Sequence, residues 1–375
     1  MHGRGRLRGE GDPRVPGSLL NQLAKLTCPV PAAGPNALAI AVYSDSEGET
    51  VAARETGDEG VACVDDAARA FVLLSNLWAA TGNERLRSWA DGLLDFVLWM
   101  HDGDGRWVNF IRDWDGSRNL TGPTSLPGSN FWQARAANAM VTATLQHDSD
   151  RARPVLALAL ALAAESSPPA DVRSLHAQAG VEVLRKEPDS WLASQVAGWC
   201  DELVACSSNG VLMNSPDERG RPHLWAHVQE AALADASVVL QRPELLAAAR
   251  RSAALLFDHV IESGFDLPHV QPYDVQSAVQ VMDRLEAATG DDRYRSLGRK
   301  ARAWFSGRNS ARTAVYQLDR GGRVADGIDN GVLNGHSGAE ANICAGLALF
   351  DDVHFMAQAA AWRNDERWPA GPLGS

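Results

Sequence analysis

The chain has 375 residues, 45% of them hydrophobic and 22% charged, enough to bury a large core as one large domain or two ordinary ones. A formal net charge of −12 and a pI near 5.3 argue against nucleic acid and anionic membrane as partners. No apolar run reaches transmembrane length without a break.

Residues 1–18 are Gly/Arg-rich and lack the apolar stretch of a signal peptide, so a disordered basic tail on a cytoplasmic protein is expected. The cysteines Cys28, Cys63, Cys200, Cys206 and Cys344 are odd in number and scattered among apolar neighbours, which fits buried free thiols in a reducing compartment. None of their spacings matches a zinc site or a CxxC motif, and neither a metal nor a cofactor is expected.

In chain order, Leu19 to Leu26 suits a short helix, and 37–43 and 50–54 suit short strands around the polar turn 44–49. From Val64 onward the apolar periodicity is helical, over about 64–80, 84–100, 131–146, 152–165, 171–186, 190–206, 224–241, 243–262, 273–288, 292–306 and 338–350. Breakers such as Gly82, Pro168-Pro169, Pro188, Gly210, Pro243, Gly290 and Gly321-Gly322 separate these segments. A single domain over 19–362 with a C-terminal tail at 363–375 follows. The turn Ala80-Thr81-Gly82-Asn83-Glu84-Arg85 recurs as Ala288-Thr289-Gly290-Asp291-Asp292-Arg293, at the same place in a helix–turn–helix unit. Units of roughly 40–70 residues call for a repeat architecture. The last helix is as apolar as the middle ones, which favours closure, so the expected fold is all-α, an (α/α)6 barrel. The segment before residue 60 is expected to pack across one end.

In such a barrel the inner helices run in one direction, and the loops entering them meet at one mouth. Chemically capable residues collect at those entries. Asp65 and Asp66 open the first inner helix, where one carboxylate suffices to cap the free N–H groups and a second on so apolar a helix needs a use. The second entry carries Asn130, Trp132, Gln133 and Arg135, and the fourth His223, Trp225, His227 and Glu230. The fifth has His269, Gln271, Tyr273 and Asp274; the sixth has Asp326, Asp329, Asn330, Asn334, His336 and Glu340. The third, Asp171 to His176, is poor in such groups. Trp132 and Trp225 are sugar platforms or core residues. His227 and Glu230, at i and i+3, are a metal pair short of further ligands or a plain side-chain pair. Arg69 and Arg135 can pair with Asp65 or Asp66 and hold them ionised. Asp235 and Asp283 are expected to face solvent or neighbouring helices. The loop 327–338 lacks the strand and lysine of a phosphate-binding loop.

Three patches form a family pattern. Gly60-Val61-Ala62-Cys63-Val64-Asp65-Asp66-Ala67-Ala68-Arg69-Ala70 resembles the VDDxARA segment of bacterial six-hairpin, glycosidase-like (α/α)6 proteins. Ala134-Arg135-Ala136-Ala137-Asn138-Ala139 is similar to a departed form of their GRALWAL helix, and Asn334-Gly335-His336-Ser337-Gly338-Ala339-Glu340-Ala341 resembles their NxxQGAES segment. His336-Ser337 stands where that pattern has glutamine, and Ala341 where it has serine. The resemblance implies an (α/α)6 toroid with a carbohydrate-like ligand in its mouth.

Three functions compete. The first is a glycoside hydrolase-like, metal-independent enzyme acting on a small-molecule glycoside or oligosaccharide. Its ionised carboxylate would be Asp65 or Asp66, its protonated acid Glu340, Glu230 or Asp274, and Trp132, Gln133, Arg135, Trp225, His227, Tyr273, Asn334 and His336 would contact the substrate. The second is a lyase, isomerase or cyclase with His227, His336 or Tyr273 as base. The third is a sugar-binding protein without catalysis. The oligomeric state is not legible.

Overall fold

The computed structural model of the chain describes residues 18–45, 49–54, 57 and 59–363. It opens with α1 (Leu19–Leu26) and continues in hairpins: α2 with α3 (Val64–Thr81, Glu84–Trp99), α4 with α5 (Phe131–Gln146, Ala152–Glu165), and α6 with α7 (Ala170–Lys186, Ser190–Ala205). Then come α8 and α9 (Gln229–Val239, Pro243–Leu256), the short α10 (Asp258–Glu262), α11 with α12 (Pro272–Thr289, Asp292–Arg302), and α13 and α14 (Ala339–Ala348, Val353–Ala361). Inner helices α2, α4, α6, α8, α11 and α13 each pack on the next, and α13 packs back on α2, so the ring closes. The expected (α/α)6 barrel is the fold.

The inner helices are nearly buried all round, as Phe71, Leu73, Leu74 and Leu77 of α2 illustrate, so helical periodicity there shows little amphipathic contrast. Burying each such side chain contributes about 1.5–3 kcal/mol. The N-terminal segment differs from expectation in one respect. With Leu19, Leu20, Leu23 and Leu26 buried, α1 packs on α13 as part of the outer wall, and only the chain beyond it crosses the mouth end. Val42 meets Val61 there, and its carbonyl accepts from the N–H of Ala339 that opens α13. Ser18, placed by sequence in the tail, is buried, and its Oγ accepts from the Leu20 N–H. Residues 1–17 and 364–375 of the expected tails, and residues 46–48 of the expected turn, lie outside the described residues. The expected strands shrink to Leu38–Ile40, paired with Thr27–Pro29, and Thr50–Val51, paired with Tyr43–Ser44.

Two helix expectations are corrected. The segment expected to be helical from 224 starts at Gln229, because Ala226 sits at φ 54° and the chain turns there. The segment 243–262 breaks after Leu256, and α14 was not expected.

The repeated turn holds in three dimensions. Gly82 and Gly290 both end their helices at φ 68°, with ψ of 15° and 14°, and each donates its N–H to the carbonyl four residues back. An added Cβ would meet no atom within 4 Å at either glycine, so substitution costs only the left-handed backbone strain. Gly82→Ala and Gly290→Ala should each lose about 1–2 kcal/mol in urea unfolding, and the double variant the sum, because the sites lie on different hairpins. Unequal or non-additive losses would break the equivalence of the two turns.

Candidate active site in the barrel mouth

At the entry to α2, capping is done by other groups. Cys63 Sγ accepts from the Asp66 N–H at 3.4 Å, Asn109 Oδ1 accepts from the Asp65 N–H at 3.1 Å, and the Asn109 carbonyl accepts from Val64. Neither carboxylate is thereby spent on the free N–H groups of the helix. Arg135 of α4 hydrogen-bonds both oxygens of Asp65. Arg69, one turn along α2, reaches three acids: Nη2 lies 2.7 Å from Asp66 Oδ1, Nη1 3.1 Å from Glu340 Oε1, and Nε 3.5 Å from Asp65 Oδ1. Both guanidinium groups lie over the Tyr273 ring, each 5.1 Å from its centroid, and Arg135 also lies over Phe131.

This arrangement splits the two neighbouring aspartates. Burial disfavours the charge on Asp65, but Arg135 and Arg69 outweigh it and hold the carboxyl below its ordinary range. Asp66 is pushed up to about 6 by burial, against the pull of Arg69, with Asp65 and Glu340 adding to the rise. Three further carboxyl groups around the entries are also pushed up to about 6, chiefly by burial. Asp274 accepts from the backbone of Gln271 and Trp225 and senses Glu340. Asp326 accepts from the Gly338 N–H at 2.7 Å, beside His336. Asp171 lies with Oδ2 3.6 Å from His223 Nε2.

Aromatic groups line the same opening. His223 stacks on Trp225 with centroids 3.9 Å apart and planes 8° apart, and Trp225 in turn contacts Phe131 and Tyr273. Trp225 is 39% exposed. Asn334 Oδ1 accepts from the His336 N–H, and the exposed His336 gives its carbonyl to the Asp326 N–H, which fixes the sixth entry loop beside Glu340.

Of the residues singled out by sequence, Asp65, Asp66, Arg135, Trp225, Tyr273, Asp274, Asn334, His336 and Glu340 come together in this way. Four do not. His227 and Glu230 are fully buried: His227 Nδ1 lies 2.6 Å from Asn214 Oδ1, its Nε2 lies 3.1 Å from Glu230 Oε1, and Ser252 of the outer helix α9 donates to that oxygen. Gln133 is spent on the 105–107 loop, accepting from the Trp107 N–H and donating to the Gly105 carbonyl, and Trp132 Nε1 donates to the Trp107 carbonyl. These pairs brace loops and the outer ring and stand apart from the cluster around Arg69 and Arg135. Glu230→Gln should therefore cost about 1–3 kcal/mol of stability, because it disturbs a buried hydrogen-bonded pair, while leaving KM unchanged; urea unfolding and initial-rate kinetics together check this.

Asp171 was missed because it is the one carboxylate at the third entry, and its partner His223 arrives from another hairpin. Among the described residues no group of three or more His, Cys, Asp or Glu side chains is placed to hold a metal ion. All five cysteines are free, and no described helix is long and apolar enough to cross a membrane.

No protein-family model matches the chain, and neither does any curated protein sequence. Solved structures do match. A sugar epimerase from a ruminal bacterium superposes with a TM-score of 0.65 at 11% identity, over 90% of this chain and 96% of that one. A D-mannose isomerase superposes with 0.64 at 11% identity, over 89% and 95%. A family 76 glycoside hydrolase from a bovine Bacteroides thetaiotaomicron strain gives 0.62 at 10% identity, over 88% and 76%. At these identities the likeness carries the fold: the chain shares its (α/α)6 barrel with sugar epimerases, a sugar isomerase and glycoside hydrolases.

Proposed function

We propose that the protein is a carbohydrate-active enzyme that hydrolyses a glycosidic bond in the mouth, with Asp274 as the proton donor. The observation that carries this reading is the opposite bias of two carboxyl groups: Asp65, paired with the two arginines that lie over Tyr273, is held below its ordinary range, and Asp274, next to Tyr273 in the chain, is pushed up to about 6. Cleavage of a glycoside needs one protonated and one ionised carboxyl group on opposite sides of the bond. Asp274 gives its proton to the leaving oxygen. Asp65, fixed by Arg135 and Arg69, supplies negative charge to the cationic sugar ring as it develops, without reorganisation. Glu340, its side chain 45% exposed and paired with Arg69, orients the attacking water and takes its proton as the water oxygen bonds to the sugar. Trp225 offers an exposed ring face on which a sugar ring can stack.

The His223–Asp171 pair, stacked on Trp225, favours a second reading, epimerisation or isomerisation through a histidine base. Turnover of a panel of glycosides and free sugars in H2(18)O and in D2O separates the two. Hydrolysis places one solvent oxygen in the product. Exchange of a carbon-bound hydrogen for deuterium, without cleavage, would overturn hydrolysis in favour of the histidine-based reaction.

A further inference from the structure

Below the mouth the barrel is hollow. A cavity of about 850 Å³ runs down the lumen from Arg69, Arg135, Ala226 and Tyr273 to Arg284 and Asp351 at the far ends of the inner helices. Its upper boundary is the partition that carries the mouth acids, since Tyr273 and Ala226 pack there with Cys344 and Phe131.

Successive helical turns set its lining: Arg69, Val72 and Asn76 on α2, Arg135, Asn138 and Thr142 on α4, Gln178, Glu182 and Arg185 on α6. Six amide side chains project into it, Asn76, Asn138, Gln146, Gln178, Gln276 and Gln280. Some bond one another, as Gln146 does Asn76 at 3.0 Å and Gln276 does Gln280 at 2.9 Å. The Nε2 of Gln178 is buried and has no partner among the described residues. Between the amides stand Val72, Leu175, Val279 and Leu347. The charges in the lining are already matched. Arg185 pairs with Asp235 and with Glu182, and Arg284 Nε lies 3.3 Å from Asp235 Oδ2. Asp235, expected to face solvent or neighbouring helices, thus ties α8 to both its neighbours in the ring, α6 through Arg185 and α11 through Arg284.

We propose that this chamber is a second binding site, separate from the mouth, for a neutral polyhydroxylated molecule, a small saccharide or polyol. Amides donate to and accept from hydroxyl groups, and the aliphatic strips match the C–H faces of such a molecule. An ionic ligand would have to compete with ion pairs already formed. The volume lies within the usual range for small-molecule sites, about 300–1,000 Å³. The proposal does not rest on hydrolysis in the mouth.

Saturation-transfer NMR with methyl β-glucoside, methyl α-mannoside and sorbitol tests it, in a Trp225→Ala/Asp274→Asn background that disables the mouth. At least one probe should still bind there. Adding Gln178→Leu and Gln276→Leu should weaken it roughly tenfold, the loss of about two net hydrogen bonds, and Gln178→Leu alone should leave turnover of the parent enzyme unchanged. Should the double variant unfold, Asn76→Leu in the α2 lining serves instead. Three results would overturn the proposal: no probe binding in the mouth-disabled protein, binding unaffected by folded chamber variants, or preferential binding of glucose 6-phosphate.

Discussion

Asp274→Asn is expected to fold like the parent and to lose about 10²–10⁴-fold in kcat, the usual worth of a positioned general acid. Asp274 does two jobs at the start of α11. Its Oδ2 accepts from the Gln271 N–H at 2.8 Å, completing a capping box, and its carboxyl is pushed up to about 6 by burial. Asparagine keeps an acceptor oxygen for the cap and removes only the acid, so activity and folding separate. In the parent, kcat/KM should fall as pH rises past about 6, where the proton leaves; in the variant the residual rate should be flat across that range. Stability adds an independent readout. The folded pKa lies above the ordinary 3.8, so the native state holds an extra proton between about 4 and 6. That contribution is fully present below pH 4 and is lost as pH rises through 6. Urea midpoints of the parent minus those of the variant should show this decline. Near-parental kcat in a well-folded variant would remove Asp274 from the chemistry.

How much of this was legible depends on which link is asked for. Helix α2 could be bounded by eye, because Cys63-Val64-Asp65-Asp66 opens it and Gly82 closes it in the left-handed region. The ring followed from counting such units. The start of α8 was not legible: Leu224 to Val228 continues the apolar periodicity, yet the chain turns at Ala226, a residue with no intrinsic preference for positive φ. That turn carries Trp225 to the mouth and His227 to the outer ring. His227 and Glu230 do pair at i, i+3, as their spacing suggests. On a helix buried on every side, however, spacing does not say whether the pair faces the lumen or α9, and Ser252 settles that from another hairpin. Trp132 and Gln133 misled for the same reason. They precede Arg135 by less than a turn but point to the 105–107 loop, whose approach depends on tertiary packing. Arg69 and Asp65, by contrast, sit one turn apart on the same helix, and their pairing needs no tertiary knowledge.

Arg69→Met should destabilise the protein by about 3–5 kcal/mol at neutral pH, the cost of removing one partner from a buried ion cluster. The Arg69 side chain is only 10% exposed and is shared among Asp65, Asp66 and Glu340. Methionine fills the volume but leaves Asp66, 3% exposed, with Cys63 as its remaining side-chain partner. Asp65 keeps Arg135 and is less affected. The sign of the pH response follows. Asp66 is already pushed up to about 6 with Arg69 in place, and that cation pulls it down, so the variant's value must rise further. Protonation then relieves the buried charge, so the deficit should shrink as pH falls from the variant's raised value towards 6 and level off below it. Adding Asp66→Asn to the variant should recover part of the loss at pH 7, since the two sites share one ion pair and their effects cannot add. Arg69→Lys should sit between, keeping the charge but losing the fork that spans three acids. A deficit under about 1 kcal/mol, or one that stays constant from pH 5 to 8, would mean that solvent already screens the cluster. In that case Arg69 would contribute little to the state of Asp65, and Arg135 would be the group that holds its carboxyl below the ordinary range.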